Sequence, residues 1–162
     1  TCALPIFVFF YELCSYSVPG YGAGMKQAMK RLSVPGRGQG LHEITAVAAA
    51  WVGETGFQTG LLTAFIPHTS ATLLITENAD EDVVRDMETF FARLVPEGAG
   101  YRHENEGPDD MPAHIRSALT QTHVVIPVMN GRLQLGTWQG LFLFEHRTEP
   151  RKRDLILHLA GE

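Results

Sequence analysis

Two apolar runs separated by only three polar residues constrain the fold of this chain more than any other feature. The runs are Thr59–Pro67 (TGLLTAFIP) and Ala71–Thr76 (ATLLIT). Each has the length of a strand, and a nearly continuous apolar run predicts a strand that is covered on both faces. The chain must turn within His68-Thr69-Ser70, so three polar side chains lie at the tip between two buried strands.

The rest of the chain adds more strands than helices. Five other runs have the length and composition of strands: Lys26–Val34, His123–Val128, Leu133–Thr137, Leu141–His146 and Leu155–Leu159. Asn130-Gly131 is a typical hairpin turn, because both positions of such a turn need a positive φ angle. Consecutive strands joined by short turns predict antiparallel pairing.

Three segments predict helices. Asp80–Leu94 carries an apolar stripe at helical spacing, and Asn78 with Glu81 fits a capping box at its start. Thr45 is predicted to cap a helix of about ten residues, and a third helix runs from Pro112 to about Gln121. The predicted fold class is therefore α+β, with about three helices packed on mainly antiparallel strands.

Composition indicates one domain. The chain has 162 residues, of which 44% are hydrophobic, and a net charge of −5. This acidic balance argues against a nucleic-acid or anionic-membrane partner. Both cysteines, Cys2 and Cys14, precede the apolar runs, so we expect no disulfide framework and a reducing, cytoplasmic location.

Residues 1–24 differ from the rest of the sequence. They contain no Lys or Arg, and their apolar run is too short to span a bilayer. Met25 follows directly. We interpret residues 1–24 as an upstream extension that is not part of the fold, and residues 25–162 as the single domain. A membrane-docking leader is the alternative.

The stretch Tyr101–His114 (YRHENEGPDDMPAH) has the composition of a divalent-metal site. It combines His103 and His114 with the adjacent carboxylates of Asp109 and Asp110. Imidazole and carboxylate are common ligands of zinc and related cations. The spacing matches no named zinc motif. A solvated acidic loop, with one aspartate capping the next helix, is the competing interpretation.

Other polar groups lie at predicted strand ends. Glu145-His146-Arg147 ends one strand, and Arg151-Lys152-Arg153 begins the next, so together they form a basic cluster that could bind an anion. The alternative is a charged hairpin tip that protects an edge strand. Trp138 could stack on an aromatic ring while Gln139 contacts its polar edge, although a tryptophan is more often part of a core.

These motifs carry a resemblance to a known family. From Met25 to the C-terminus the chain resembles the YjbQ family, known as secondary thiamine-phosphate synthases. The matching motifs are, in order, His68-Thr69-Ser70-Ala71, Glu77-Asn78, Asp86-Met87-Glu88 with Phe90-Phe91, Tyr101-x-His103, Asp109-Asp110-Met111-Pro112-x-His114, Ile126-Pro127-Val128, Gly131-Arg132-Leu133, Gly136-Thr137-Trp138-Gln139, Glu145-His146-Arg147 and Gly161-Glu162. Residues 1–24 have no counterpart, and His123 stands where the family is expected to carry Ser.

The resemblance implies a homotrimer and a metal-containing pocket that gathers His68, His103 and His114. Three imidazoles favour zinc, whereas magnesium would suit a pyrophosphate substrate. The implied activity joins a pyrimidine pyrophosphate to a thiazole phosphate. For that chemistry we expect Glu145, Asp110 and Ser70 to be catalytic. We expect the phosphorylated substrates to contact six residues with polar, aromatic or cationic side chains: Thr69, Arg132, Trp138, Gln139, Arg147 and Arg153.

Two classes of function follow from this site. In an enzyme, basic side chains and the cation would neutralise the leaving pyrophosphate. In a binding module, the same pocket would hold a metal or metabolite without turnover, as expected if protein ligands close the metal sphere. We favour the enzyme.

Overall fold

The computed structural model describes residues 25–162, so the interpretation of residues 1–24 concerns residues outside the described part of the chain. The strands are β1 Lys26–Val34, β2 Gly40–Glu43, β3 Thr59–Phe65, β4 Ala71–Glu77, β5 His123–Met129, β6 Arg132–Leu133, β7 Gln139–Glu145 and β8 Arg153–Gly161. The helices are α1 Thr45–Thr55, α2 Glu81–Leu94 and α3 Asp110–Leu119. The predicted α+β class is confirmed.

The strands form two antiparallel sheets. One sheet has five strands in the order β1-β8-β3-β5-β6, and the other has three in the order β2-β7-β4. The chain crosses between the sheets several times, and two of these crossings are the connection from β3 to β4 through His68-Thr69-Ser70 and the connection from β7 to β8. Ala71 pairs with Glu145 in the smaller sheet, so both crossings lie at the same end of the molecule.

Two hydrophobic clusters hold the sheets and helices together. The larger joins the inner faces of both sheets to α1, and it includes Trp51, Leu62, Leu73 and Leu157. The smaller covers the second face of the three-stranded sheet, where Phe144 meets Phe91 of α2 edge to face. The three-stranded sheet is therefore enclosed between the larger sheet and the helices, which places its charged strand ends inside the protein.

The five-stranded sheet differs from the prediction that its strands are covered on both faces. Side chains along β3 alternate, with Leu62 and Ala64 buried and Leu61 53% exposed. The neighbouring β5 also exposes Val125 and Met129 on its outer face. Leu61 and Val125 are apolar on the exposed face as well, so the sequence lacks the alternation that marks a half-exposed strand. The result is an exposed apolar sheet face.

Local details correct three further predictions. Thr45 does not cap α1; its hydroxyl instead accepts a hydrogen bond of 2.8 Å from the Leu141 amide. Asp80, rather than Asn78, caps α2 by accepting from the amide of Asp82. The predicted strand 133–137 shrinks to the two residues of β6 because the chain turns away after the hairpin. The Asn130-Gly131 turn is confirmed, with φ angles of 53° and 69°.

His146, just beyond β7, is fully buried. Its Nε2 lies 2.9 Å from the hydroxyl of Thr72, whereas Nδ1 has no hydrogen-bond partner. Burial, helped by the cations of Arg116 and Arg153, lowers the pKa of His146 to about 3. The ring is therefore neutral over the whole range of ordinary pH.

This buried ring predicts a loss of stability in mild acid. The unfolded chain binds a proton at this position below about pH 6.5, whereas the folded chain binds it only near pH 3, so stability falls as pH decreases between these values. At pH 5 the cost is about 2 kcal/mol. In urea titrations, the unfolding free energy of wild type should fall between pH 7 and pH 5 by about 2 kcal/mol more than that of His146→Gln. His123→Gln, which alters an exposed ring, is the control, and equal pH slopes in wild type and His146→Gln would contradict the prediction.

Candidate metal centre

The predicted metal-binding stretch lies at the end of the molecule where the chain crosses between the sheets. His103 is in an irregular loop, while Asp110 and His114 lie one turn apart at the start of α3. Because side chains four residues apart share a helix face, Asp110 and His114 point the same way. His103, Asp110 and His114 each offer one ligand atom, and these three atoms lie within 4.8 Å of one another.

Asp110 has a carboxylate oxygen that is free to bind a cation. Oδ2 is buried and has no hydrogen-bond partner, although Nε2 of His103 lies 2.8 Å away. This close contact does not have the geometry of a hydrogen bond. Nε2 of His114 lies 3.6 Å from Oδ1 of the same carboxylate. A buried oxygen without a donor is costly, and a shared cation would remove that cost.

The ring of His114 is oriented by the chain between β3 and β4. Its Nδ1 lies 3.0 Å from the backbone carbonyl oxygen of Thr69. A carbonyl only accepts, so Nδ1 carries the proton and Nε2 keeps its lone pair on the side facing Asp110. Metal-binding histidines commonly donate their second N–H to a carbonyl in this way. Thr69 therefore contributes its backbone here, whereas the sequence suggested its hydroxyl.

Arg147 fixes the other carboxylate oxygen. Its Nη1 makes a short hydrogen bond to Oδ1 of Asp110, and its Nε donates to Asp109 at 3.0 Å. Nη2 donates to the carbonyl of Glu106 at 2.6 Å. Arg147 is 3% exposed, so it does not lie on an exposed charged hairpin tip, which was the alternative interpretation of this basic cluster. Its guanidinium orients Asp110 and is not left free for a phosphate.

Asp109, the residue just before α3, is a second carboxylate partner of Arg147. It accepts hydrogen bonds from Arg147 and from both the amide and the hydroxyl of Thr148. Burial alone would raise the pKa of Asp109, but these hydrogen bonds and the charge of Arg147 together lower it below its usual value. Asp109 is thus an anion that holds Arg147 in place, rather than the side-chain cap of α3 that its position suggested.

A second ion pair lies deeper in the same end of the molecule. Arg153 donates from Nε and Nη2 to the two carboxylate oxygens of Glu145, both at 2.6 Å. Nη2 also donates to the hydroxyl of Ser70 at 3.0 Å. Glu145 is 1% exposed and also accepts from the amide of Arg147. The polar groups of Glu145, Arg153 and Ser70 thus form hydrogen bonds with one another. Because both oxygens of Glu145 already accept from Arg153, Glu145 is poorly suited to act as a general base.

His68 lies outside the group formed by His103, Asp110 and His114. Its Nε2 accepts a hydrogen bond of 2.9 Å from the amide of Asp154. Burial, together with the nearby charge of Arg153, lowers the pKa of His68, so the ring is neutral and its proton lies on Nδ1. Neither nitrogen has a free lone pair in this arrangement. The structure brings together two of the three predicted histidines, with Asp110 in the place of the third.

Three predicted substrate contacts lie at the opposite end of the sheets. Gln139 begins β7 and Glu145 ends it, so about 20 Å of strand separates Trp138 and Gln139 from Glu145, at whose end of the sheet the metal-binding group lies. Arg132 lies in the hairpin beyond Met129, also far from the β3–β4 crossing. Trp138 is 64% exposed. Within one chain, these residues do not share a site with His114.

The structure reveals a cavity beside His103 that the sequence did not indicate. It has a volume of about 260 Å³, and its lining is formed by Gly98, Tyr101, His103, Glu104, Gly107 and Pro108. Gly107 has a φ of 111° and Pro108 follows it, so the loop bends away and leaves space open. The signal in the sequence was the pair of residues Gly107-Pro108, which breaks any regular element between His103 and His114.

Comparison with known proteins identifies the family. Residues 30–162 match the family described as UPF0047 protein YjbQ-like. The chain belongs to the YjbQ/UPF0047 family. A UPF0047 protein of Synechocystis is 54% identical over 141 residues, which cover 86% of this chain and 96% of the relative. The YjbQ protein of Escherichia coli is 42% identical over 134 residues, covering 82% and 97%.

Solved YjbQ-family structures share the fold of this chain. A YbjQ-like protein of Sulfolobus solfataricus superimposes with a TM-score of 0.78 at 25% identity, covering 85% of this chain and 99% of its own. A YjbQ/UPF0047 protein of Clostridium acetobutylicum gives 0.71 at 34% identity, covering 81% and 98%. Within residues 25–162 of this YjbQ-family protein, no helix has the length and hydrophobicity needed to cross a membrane.

Proposed function

We propose that this YjbQ-family protein holds a divalent cation between His103, Asp110 and His114, and that this centre serves a thiamine-phosphate synthase type of reaction. The observation that carries the proposal is the buried Oδ2 of Asp110, which has no hydrogen-bond partner and lies beside two imidazole nitrogens. A cation bound there would supply positive charge to a phosphorylated substrate.

The donor set favours zinc over magnesium. Two imidazoles and one carboxylate match the nitrogen and oxygen ligands of zinc, whereas magnesium prefers oxygen ligands throughout. His114 and Asp110 are each held by a second contact, from the Thr69 carbonyl and from Arg147. Three protein ligands leave at least one position open, which is typical of catalytic rather than structural zinc sites. This open position favours an enzyme over a binding module.

The cavity beside His103 is the substrate pocket in this proposal. Tyr101 offers an aromatic surface to a pyrimidine ring, and the Glu104 carboxylate can accept a hydrogen bond from an amino group. Arg147 and Arg153 are paired with buried carboxylates. In this proposal the more exposed Arg151 therefore binds the substrate phosphate. Arg151 reaches Glu106 at 4.0 Å and lies at the edge of the same loop.

Metal analysis followed by a turnover assay tests this proposal. We expect about one zinc per chain in protein purified without chelator, because the site offers three preformed ligands. With the pyrimidine pyrophosphate and the thiazole phosphate, thiamine phosphate should form, and prior removal of the metal should abolish its formation. Zinc without turnover would support the metal- or metabolite-binding alternative, and metal-free protein with undiminished activity would contradict the metal-centred proposal.

We further propose that the chain assembles as a homotrimer through the outer face of its five-stranded sheet. Leu61, Phe65, Val125 and Met129 are exposed on neighbouring strands β3 and β5, and Met29 lies on the same face of β1. Together they make much of this exposed face apolar, and an exposed apolar face on a folded domain is typical of an interface with another chain.

The sheet-face interface predicts a charge-sensitive assembly. We expect light scattering at micromolar concentration to give the mass of three chains for wild type. Leu61→Glu with Val125→Glu should give a monomer, because association would bury unpaired charges. Trp138→Glu, which alters an exposed side chain at the end of the smaller sheet, is the matched control. A wild-type monomer, or a trimer that survives the double substitution, would contradict the proposal.

A further inference from the structure

Arg116 is a buried cation without an acidic partner. It lies on α3, is 4% exposed, and donates from Nη2 to the carbonyl of Val95 at 2.8 Å. Its Nε has no hydrogen-bond partner, and within residues 25–162 no carboxylate oxygen comes within 4.0 Å of its guanidinium. An unpaired buried charge is expensive. The burial lowers the pKa of Arg116, and the more distant charges of Glu97 and Asp109 only partly oppose this shift.

Arg116 forms part of the wall of a small cavity. The cavity has a volume of about 60 Å³ and lies between α2, α3 and the second face of the three-stranded sheet. Its lining consists of Gln39, Gly40, Glu88, Phe91, Arg116 and Phe144. This volume holds a few waters or one small ion, and it is too small for a ring with substituents.

Glu88 shares this cavity but is committed to another partner. Its Oε1 accepts a hydrogen bond of 2.8 Å from the amide of Leu41. The same oxygen approaches Gly40 so closely that a Cβ there would lie 2.6 Å from it. Gly40 also has a φ of 137°, so this position favours glycine. The Glu88 carboxylate is thus held against the backbone of β2 and does not pair with Arg116.

Two neutral polar groups near Arg116 also lack hydrogen-bond partners. The Oγ of Ser117 and the Nδ1 of His146 are buried and have no partner. His146 stays neutral, in part because the cation of Arg116 is near. The site is also separate from the metal-binding group. Successive helical residues differ by about 100°, so Arg116 projects about 200° around α3 from His114.

We infer that the cavity at Arg116 binds a small oxyanion, between formate and phosphate in size. A guanidinium binds such an anion through charge-assisted hydrogen bonds, and the bound anion would neutralise the buried charge. Two phenylalanine rings in the lining lower the local dielectric constant, which would strengthen such a contact. The Glu88 carboxylate limits the affinity because it repels an anion in the same cavity.

Calorimetric titration of the metal-free protein with formate, acetate, sulfate and phosphate at constant ionic strength tests the inference. We expect saturable binding of at least one of these anions, at least about tenfold weaker in Arg116→Met because the charge is lost. Glu88→Gln should bind about threefold or more tightly, because repulsion is removed. His114→Ala should bind as wild type does, which separates this site from the metal centre.

Three results would overturn the inference. They are absence of saturable binding to wild type, equal binding to wild type and Arg116→Met, and loss of binding in His114→Ala. Replacing an unpaired buried charge with an apolar side chain of similar shape is often neutral or stabilising, so we expect Arg116→Met to fold. If it does not, Glu88→Gln decides: tighter binding supports the site, and unchanged affinity contradicts it.

Discussion

Replacing His114 with Ala should reduce zinc affinity by more than about 100-fold. Loss of a residue that merely orients a metal ligand already costs 10- to 100-fold in affinity, so loss of the ligand itself should cost more. The side chain of His114 is 33% exposed, so the substitution should have little effect on folding. The measurement is competition for zinc against a chelating dye, with circular dichroism to confirm the fold.

His68→Ala is the informative comparison for this substitution. The family resemblance placed His68 among the ligands, whereas the structure gives its Nε2 to the amide of Asp154 and groups Asp110 with the other two histidines. We expect His68→Ala to retain zinc affinity within about tenfold, as a residue outside the ligand set should. His42→Ala, which alters a histidine of the smaller sheet outside the metal-binding group, controls for nonspecific zinc binding. Strong loss in His68→Ala with full zinc binding in His114→Ala would reverse the assignment.

The fold was largely predictable from local sequence patterns. Apolar runs of strand length, the Asn130-Gly131 turn and the stripe of α2 all depend on neighbours along the chain. The outer sheet face was not predictable in the same way. Leu61 and Val125 are apolar although exposed, so the pattern of a fully covered strand and that of an interface strand are identical in sequence.

The candidate site was predictable in its residues but not in its pairing. His103, Asp110 and His114 all fall within the stretch that composition selected. The partners Arg147 and Asp109, however, are 38 residues apart, and nothing local connects them. A sequence also does not show whether a residue acts through its backbone or its side chain. The polar side chain of Thr69 suggested a role for its hydroxyl, whereas its carbonyl contacts His114.

Charge was the most misleading local signal. Glu145, Arg147 and Arg153 lie near a chain reversal, where charged residues are usually solvated. Here the reversal is enclosed by α3 and the β3–β4 crossing, so all three are buried and paired. The cluster was predicted to be an exposed anion site that tolerates substitution. Instead, Arg147 pairs with Asp110 and Arg153 pairs with Glu145 inside the protein.

The second large effect is expected from the ion pair of Arg153 with Glu145. Both side chains are almost fully buried, and two hydrogen bonds of 2.6 Å join them. Arg153→Met would leave the Glu145 carboxylate buried without its cation. Breaking such a pair by removing one partner typically costs 3–5 kcal/mol. We expect a loss of about 4 kcal/mol in the free energy of unfolding, measured by urea titration at pH 7.

Removing both charges should restore much of this stability. In the double variant Arg153→Met with Glu145→Gln, no unpaired charge stays buried, and the amide oxygen of the new side chain can still accept from the amide of Arg147 as the Glu145 carboxylate does now. We therefore expect the double variant to be more stable than Arg153→Met alone by about 2 kcal/mol or more. Lys30→Met, which alters an exposed ion pair with Glu54, is the matched control and should change stability by less than about 1 kcal/mol. A cost in Arg153→Met no greater than in this control would show that Glu145 is satisfied without Arg153. An additive double variant would show that the two charges do not depend on each other.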